Sequence, residues 1–395
     1  MPDRLRVGVV GCGVVARVSY LPGLSGLGDR YEIAALCDPS EPAARGLAER
    51  YRVPAVCTDY RDLAEQALDA VLVLTQGSHV PAAVAAARAG AHVFAGSPMC
   101  LSVDEGRELI EAARDAGVRL MTGATQRYDP AYERLTELVP LDDLRLVTVT
   151  SLGSPGPPAG AHELVPAVRP SPEVLAALRA DDERQFAAAL PDGDAETRYC
   201  YQWMLLGSIA TDLGMLRGVL GEPDVVHQAR LGRTVCDISL GFGATQAHVS
   251  WADLPGPGRS RRELAFYAPD RRIALVIRPG RPSLLTVEET EAGQPHGTRT
   301  VEFVSDEDAI RRELIEFDAA IGAGREPRTG GVDGLHDVAL CEAIARSHVI
   351  GRPVGLPSVL PAWAGPRRAA GPRRAAGPQA GQAPPGPRPT PTDPG

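Results

Sequence analysis

RVGVVGCGVVARVSYLPGL, residues 6–24, runs a short apolar strand into a glycine turn and out into a helix. Gly11, Gly13 and Ala16 stand in a G-x-G-x-x-A arrangement, which in a strand–turn–helix setting is the signature of a dinucleotide-binding βαβ unit. Gly11 permits the tight turn, and Gly13 lets a pyrophosphate approach the backbone. Ala16 allows close helix–sheet contact, and Val14 and Val15 present the helix N-terminus to the phosphates.

Outward from this turn the same alternation continues. Residues 32–38 (EIAALCD), 69–75 (DAVLVLT), 92–96 (HVFAG) and 119–123 (RLMTG) are apolar runs of strand length. Between them PAAVAAARAG and VDEGRELIEAARDAG have helical spacing, so residues 1–123 are expected to form an α/β Rossmann domain with a doubly wound parallel sheet. Asp38 ends the second strand, twenty-five residues beyond Gly13. A carboxylate there can accept hydrogen bonds from the adenosine ribose hydroxyls and repel a 2′-phosphate, favouring NAD over NADP, or it can cap the following helix. Thr75, Gln76 and His79 follow the next strand at the sheet's carboxyl edge, where ligands bind.

After residue 123 the pattern becomes strand-rich: 144–150, 234–242, 245–251, 261–267 and 271–277, the last two joined at the APD turn. Helical stretches near 203–220, 306–323 and 333–348 complete an expected α+β C-terminal domain over 124–356, built on an open, mostly antiparallel sheet. Residues 153–198 read as a lid or a poorly ordered excursion. Residues 357–395 form a Pro/Ala/Gly/Arg tail that cannot bury enough apolar surface to order itself, and its net charge of about +4 allows at most a weak electrostatic contact.

The formal net charge of −9 argues against a nucleic-acid partner and leaves small molecules as the expected ligands. No apolar run approaches the length of a membrane span and the N-terminus has no signal-peptide pattern, so a cytoplasmic protein without a membrane partner is expected. Seven scattered cysteines without a CxxC pair suggest buried thiols. HEL at 162–164 has one histidine and no partner four residues on, so no metal is expected.

The order RVGVVGCGVVARVSYLPGL, LCDPS, VLVLTQGSHVPAAVAAARAGAHVF, TGATQRYDPAYERL, LRGVLGEPDVV resembles the glucose-fructose oxidoreductase and inositol dehydrogenase (Gfo/Idh/MocA) family across roughly residues 5–356. The resemblance implies NAD(P), a sugar, cyclitol or related polyol as substrate, and a homodimer or homotetramer. It also implies a Glu-Lys-Pro motif after the fifth strand and an Asp-x-x-x-His pair on the helix before Leu-Gly-Glu-Pro. This chain has Gly96, Ser97 and Pro98 in the first place, and Gly207 and Thr211 in the second. It contains no lysine at all, so no ammonium can be supplied from elsewhere. A serine hydroxyl brings neither a suitable pKa nor positive charge to a developing alkoxide.

The remaining candidates for the chemistry are Ser97, Tyr199, Tyr201, Thr211 and Asp212, with His162 and Glu163 from the excursion. Ser97 also lies where the cofactor would pass. Arg127, Tyr128 and Thr211 are candidate substrate contacts, Arg127 with a structural ion pair as the alternative. Asp212 is a base or a structural partner of Arg217 or Arg198, and the two tyrosines are proton donors or core. Two classes of function follow. One is an NAD(P)-dependent oxidoreductase acting on a polar carbonyl, imine or alcohol with non-standard acid/base residues. The other is a non-redox member, either a lyase, isomerase or cyclase or an inactive dinucleotide-binding partner.

Overall fold

The computed structural model describes residues 4–64, 66–153, 170–254, 260–278, 280–290 and 298–356. Two sheets carry the fold. The first has six parallel strands in the order β3-β2-β1-β4-β5-β6, formed by β1 Leu5–Val10, β2 Tyr31–Cys37, β3 Ala55–Cys57, β4 Ala70–Val73, β5 His92–Ala95 and β6 Leu120–Thr122. All four residues of β4 are buried, as expected of a central parallel strand covered by helices on both faces. The strand order reverses between β1 and β4, which opens a crevice beyond their carboxyl ends, directly at the glycine turn.

The second sheet has nine strands in the order β14-β13-β12-β11-β7-β10-β9-β8-β15. These are β7 Leu146–Leu152, β8 Val225–Arg230, β9 Val235–Phe242, β10 Thr245–Ala252, β11 Arg261–Tyr267, β12 Arg271–Ile277, β13 Leu284–Thr290, β14 Thr298–Val304 and β15 Val354–Gly355. β7 and β10 run parallel and every other neighbouring pair is antiparallel. Its inward side chains alternate along the strands, Val147 and Val149 on β7 meeting Cys236, Ile238 and Leu240 on β9 in one buried cluster.

Three long helices tie the sheets together. The helical run Ala195–Leu220 is long and apolar enough to span a membrane by composition, but 61% of its apolar window lies inside the protein, which makes it a core helix. Its middle part, Cys200–Ile209, is wound with i→i+5 bonds, a geometry that shifts the side-chain register and recurs at functional sites. Ala309–Gly322 packs back onto the first sheet: Phe317 meets Phe94 edge-on at 5.7 Å, and Tyr31 donates to the Leu314 carbonyl at 2.6 Å. Gly331–Ile350 lies against both units, and at its start the Thr122 amide donates to the Thr329 carbonyl at 2.7 Å, beside a backbone bridge between Met121 and Gly330.

The excursion before the core helix is itself helical where described. Pro172–Ala189 begins at Ser171, whose hydroxyl accepts from the Val174 amide. It docks on the first sheet's loops through Asp182, which accepts from the Ser78 amide at 3.1 Å, and Gln185, which accepts from the Ser102 hydroxyl at 3.0 Å. His162, Glu163 and the 357–395 tail lie outside the described residues.

Candidate functional site

Between the carboxyl edge of the first sheet and the core helix lies a cleft of about 320 Å³. The sheet side contributes Val15, Thr75, Gly96, Ser97 and the Gly123–Arg127 turn, and the helix side contributes Ala210, Thr211, Gly214 and Met215.

The glycine turn is shaped for a ligand rather than for packing. Gly11 has φ +92°, and a Cβ there would stand 2.7 Å from the backbone of Leu74 and Thr75, so no other residue fits. At Gly13 a Cβ would meet nothing within 4 Å. The protein does not fill the space over Gly13, and the exposed Val15 opens the helix beside it. This is a cradle that fits a dinucleotide pyrophosphate at a helix N-terminus.

Asp38 is bonded to the turn itself. It accepts from the Cys12 amide and from the Ser40 amide, both at 2.8 Å. An ionised carboxylate has about four acceptor positions, so two remain for ribose hydroxyls. Asp38 therefore ties the turn to Ser40, the residue before the Glu41–Tyr51 helix, bonds no amide inside that helix, and keeps acceptor positions for a ribose. Ala16 is fully buried, in keeping with close helix–sheet contact, and Val14 is half-buried.

Thr75 lines the cleft and donates its hydroxyl to the Ser78 carbonyl at 3.2 Å, while Gln76 is exposed. His79 is buried with Nε2 2.9 Å from the Thr75 carbonyl and Nδ1 2.8 Å from the Pro98 carbonyl. Burial pushes its imidazole below the ordinary range. It braces the two loops that carry Thr75 and Ser97. Ser97 itself is exposed at the cleft wall, before a cis bond to Pro98.

Several expected site residues do not reach the cleft. Tyr201 is fully buried, donates to the Leu101 carbonyl at 2.9 Å and packs edge-on against Phe186, so its phenol meets no ligand. Tyr128 is likewise buried, with its hydroxyl 2.8 Å from that of Thr329. Asp212 is fully buried between Ser151 and Arg262, at 2.6 and 2.5 Å. Its structural partner is Arg262 rather than Arg217 or Arg198. Tyr199 lies outside the cleft, with the Arg233 guanidinium over its ring at 4.0 Å. The helical register explains these positions: Thr211 faces the cleft, so its neighbour Asp212 points about 100° away, into the sheet.

Thr211 does line the cleft, as does Arg127, whose side chain is 14% exposed and ion-paired to Asp333. Two carboxyl groups that sequence reasoning missed are also here. Glu313, fully buried under the floor, accepts from the Ala124 amide at 2.6 Å, the Thr125 hydroxyl at 2.9 Å and the Tyr20 hydroxyl at 3.0 Å. Burial raises it to about 7 against those bonds. Asp337 lines the cleft from the Gly331–Ile350 helix, paired to Arg217. Both come from helices that begin more than 290 residues beyond the glycine turn, and only their placement among apolar helix positions signalled them. Among the described residues no group of three His, Cys, Asp or Glu side chains is placed to hold a metal.

Comparison with known proteins places this geometry. Residues 5–124 match the family model described as "Oxidoreductase family, NAD-binding Rossmann fold". The chain is 26% identical over 364 residues to D-xylose 1-dehydrogenase (NADP(+)) 2 of Haloferax volcanii, covering 88% of this chain and 99% of that protein. It is 26% identical over 367 residues to myo-inositol 2-dehydrogenase of Thermotoga maritima, covering 90% and 100%. The crystal structure of the aldose-aldose oxidoreductase of Caulobacter crescentus has the same fold, with a TM-score of 0.68 at 22% identity over 90% of this chain and all of that one. With residues 5–124 matched by that family model and relatives aligned from end to end at 26% identity, the chain is similar along its length to oxidoreductases of the Gfo/Idh/MocA kind.

Proposed function

We propose that the protein is a nicotinamide-dinucleotide oxidoreductase that interconverts a hydroxyl and a carbonyl on a polar small molecule of the sugar or cyclitol kind, with NAD preferred to NADP. The observation that carries the reading is a cleft lined by Val15 and Ser19 of the helix start and by the polar Ser97 and Thr211, next to a glycine turn whose Gly13 has open space over it. The relatives support the substrate class, since the Haloferax protein is named for xylose and the Thermotoga protein for myo-inositol. One of them is named for NADP, so the preference for NAD rests on Asp38 alone.

When bound, the dinucleotide supplies or takes the hydride. The chain does the rest. The Gly13 backbone and the helix start at Val14 and Val15 hold the pyrophosphate, and Asp38 accepts from the ribose. His79 packs between the Thr75 and Ser97 loops, its one neutral N–H donating to the Thr75 or the Pro98 carbonyl. Ser97, Thr211 and the Arg127 guanidinium offer hydrogen bonds that orient substrate hydroxyls. The same reading expects a homodimer or homotetramer in the cytoplasm.

Calorimetric titration of NAD, NADH, NADP and NADPH tests it. Micromolar binding of NAD or NADH, at least about tenfold weaker binding of the phosphorylated pair, and loss of both in Gly13→Trp are expected. Binding of none of the four by the wild-type chain sinks the oxidoreductase reading.

A further inference from the structure

With no lysine in the chain and Thr211 where the family's histidine is expected, the proton that accompanies the hydride needs another carrier. Of the titratable groups lining the cleft, Tyr20 is pushed well above its ordinary range by burial and the neighbouring Glu313. His79 has both ring nitrogens against carbonyl oxygens, and Arg127 is a permanent cation held by Asp333. Asp337 is different. Its side chain is 20% exposed, and its Oδ1 accepts from Arg217 Nη1. Its Oδ2 accepts no hydrogen bond among the described residues, and the carboxyl group lies in the cleft wall. The opening exists because residue 214 is glycine: a Cβ there would stand 3.2 Å from Oδ2 and 3.3 Å from Oδ1.

We propose that Asp337 is the catalytic acid/base of this site, exchanging a proton with the substrate oxygen from the Gly331–Ile350 helix, with Arg217 as its positioning residue. The proposal rests on the oxidoreductase reading above. In the reducing direction the substrate carbonyl carbon takes a hydride, the C=O π pair moves onto oxygen, and that oxygen takes the proton of the Asp337 carboxyl. An alcohol, an oxidised nicotinamide and an Asp337 carboxylate paired to Arg217 remain. In the oxidising direction the carboxylate takes the hydroxyl proton as the hydride leaves the same carbon.

The groups facing Asp337 set when it can do this. Burial and the Asp333 carboxylate raise it to about 6, while Arg217 and Arg127 pull it down. Tyr132 and Cys341 face it as neutral groups with raised values, and Glu222 acts only through Arg217. Near neutrality both of its forms are accessible, which is where an acid/base group is most effective.

The test uses the full chain and the variants Asp337→Asn and Gly214→Ala. NADH affinity is measured first and is expected within about threefold of wild type in both, which separates this proposal from the cofactor reading. An infrared difference titration of wild type against Asp337→Asn is expected to show one carboxyl group changing protonation near pH 6. On a wild-type substrate found among aldoses and cyclitols, kcat is expected to fall about 10²-fold or more in Asp337→Asn, with KM little changed and the pH-rate limb near 6 gone. Gly214→Ala, which keeps the carboxyl group but crowds both of its oxygens with a methyl group, is expected to show the same loss should Asp337→Asn fail to fold. Turnover within about tenfold of wild type in the folded variants, or a carboxyl titrating in the ordinary aspartate range, overturns the proposal. Failure of wild type to bind NADH overturns the oxidoreductase reading, and with it the role assigned to Asp337.

Discussion

Ser97 occupies the wall of the cleft as an exposed, neutral hydroxyl. It can orient a substrate but cannot share a proton at neutral pH, so Ser97→Ala is expected to change turnover by less than about tenfold. A loss of a thousandfold in steady-state rate would move the proton chemistry from Asp337 to Ser97. At this scale the sequence was informative where a residue's task is backbone-determined. Gly11 and Gly13 are recognisable because strand, turn and helix are contiguous in the chain. It was misleading where the task depends on direction: Tyr201, Tyr128 and Asp212 belong to the right elements and face the core. It was silent on Asp337, whose relation to Thr211 and Gly214 exists only after two helices distant in sequence have packed.

Among elements, the buried strands were legible and the edges were not. β1, β2, β4, β5 and β6 are apolar runs, while β3 has only three residues and sits at the margin of its sheet. β13 and β14 mix charged and apolar residues, as in VEFV of β14, in a pattern that suits a half-exposed strand but does not stand out from a loop. The Pro172–Ala189 helix was expected only as part of a lid or excursion, since a connection as long as 153–198 reads as irregular and the helix's register is set by Asp182 and Gln185 against the first sheet. Removing one of these anchors should loosen the helix alone. In Asp182→Ala, hydrogen exchange over 172–189 is expected to accelerate, with the central strands unchanged. Unaltered protection would mean that the helix is held by something other than its contact with Ser78.

For the whole molecule, buried carboxyl groups set a pH dependence. Glu313 and Glu342 are each raised to about 7, chiefly by burial. A carboxyl group whose folded value lies above its unfolded one contributes stability that is full below about pH 4.5 and is lost as pH rises to about 7. For the fully buried Glu313 this amounts to something on the order of 3 kcal/mol. Glu313→Gln retains an acceptor for the Ala124 amide and is expected to gain on wild type in urea midpoint as pH rises from about 5 to about 8. A constant difference across that range would show that Glu313 is already ionised in the folded protein at about pH 5, as in the unfolded chain, and that burial does not raise it.

The contact between Thr122 and Thr329 has a mechanical side. It fixes the foot of the Gly331–Ile350 helix to the edge of the first sheet, eight residues before Asp337. At a rise of about 1.5 Å per residue that is a lever of roughly 12 Å. A tilt of about 6° about this pivot swings the carboxyl group by about 1 Å, and a misplacement of that size can cost about a hundredfold in rate. The small strand β6, which touches no substrate, therefore sets the aim of the group at the far end of the arm.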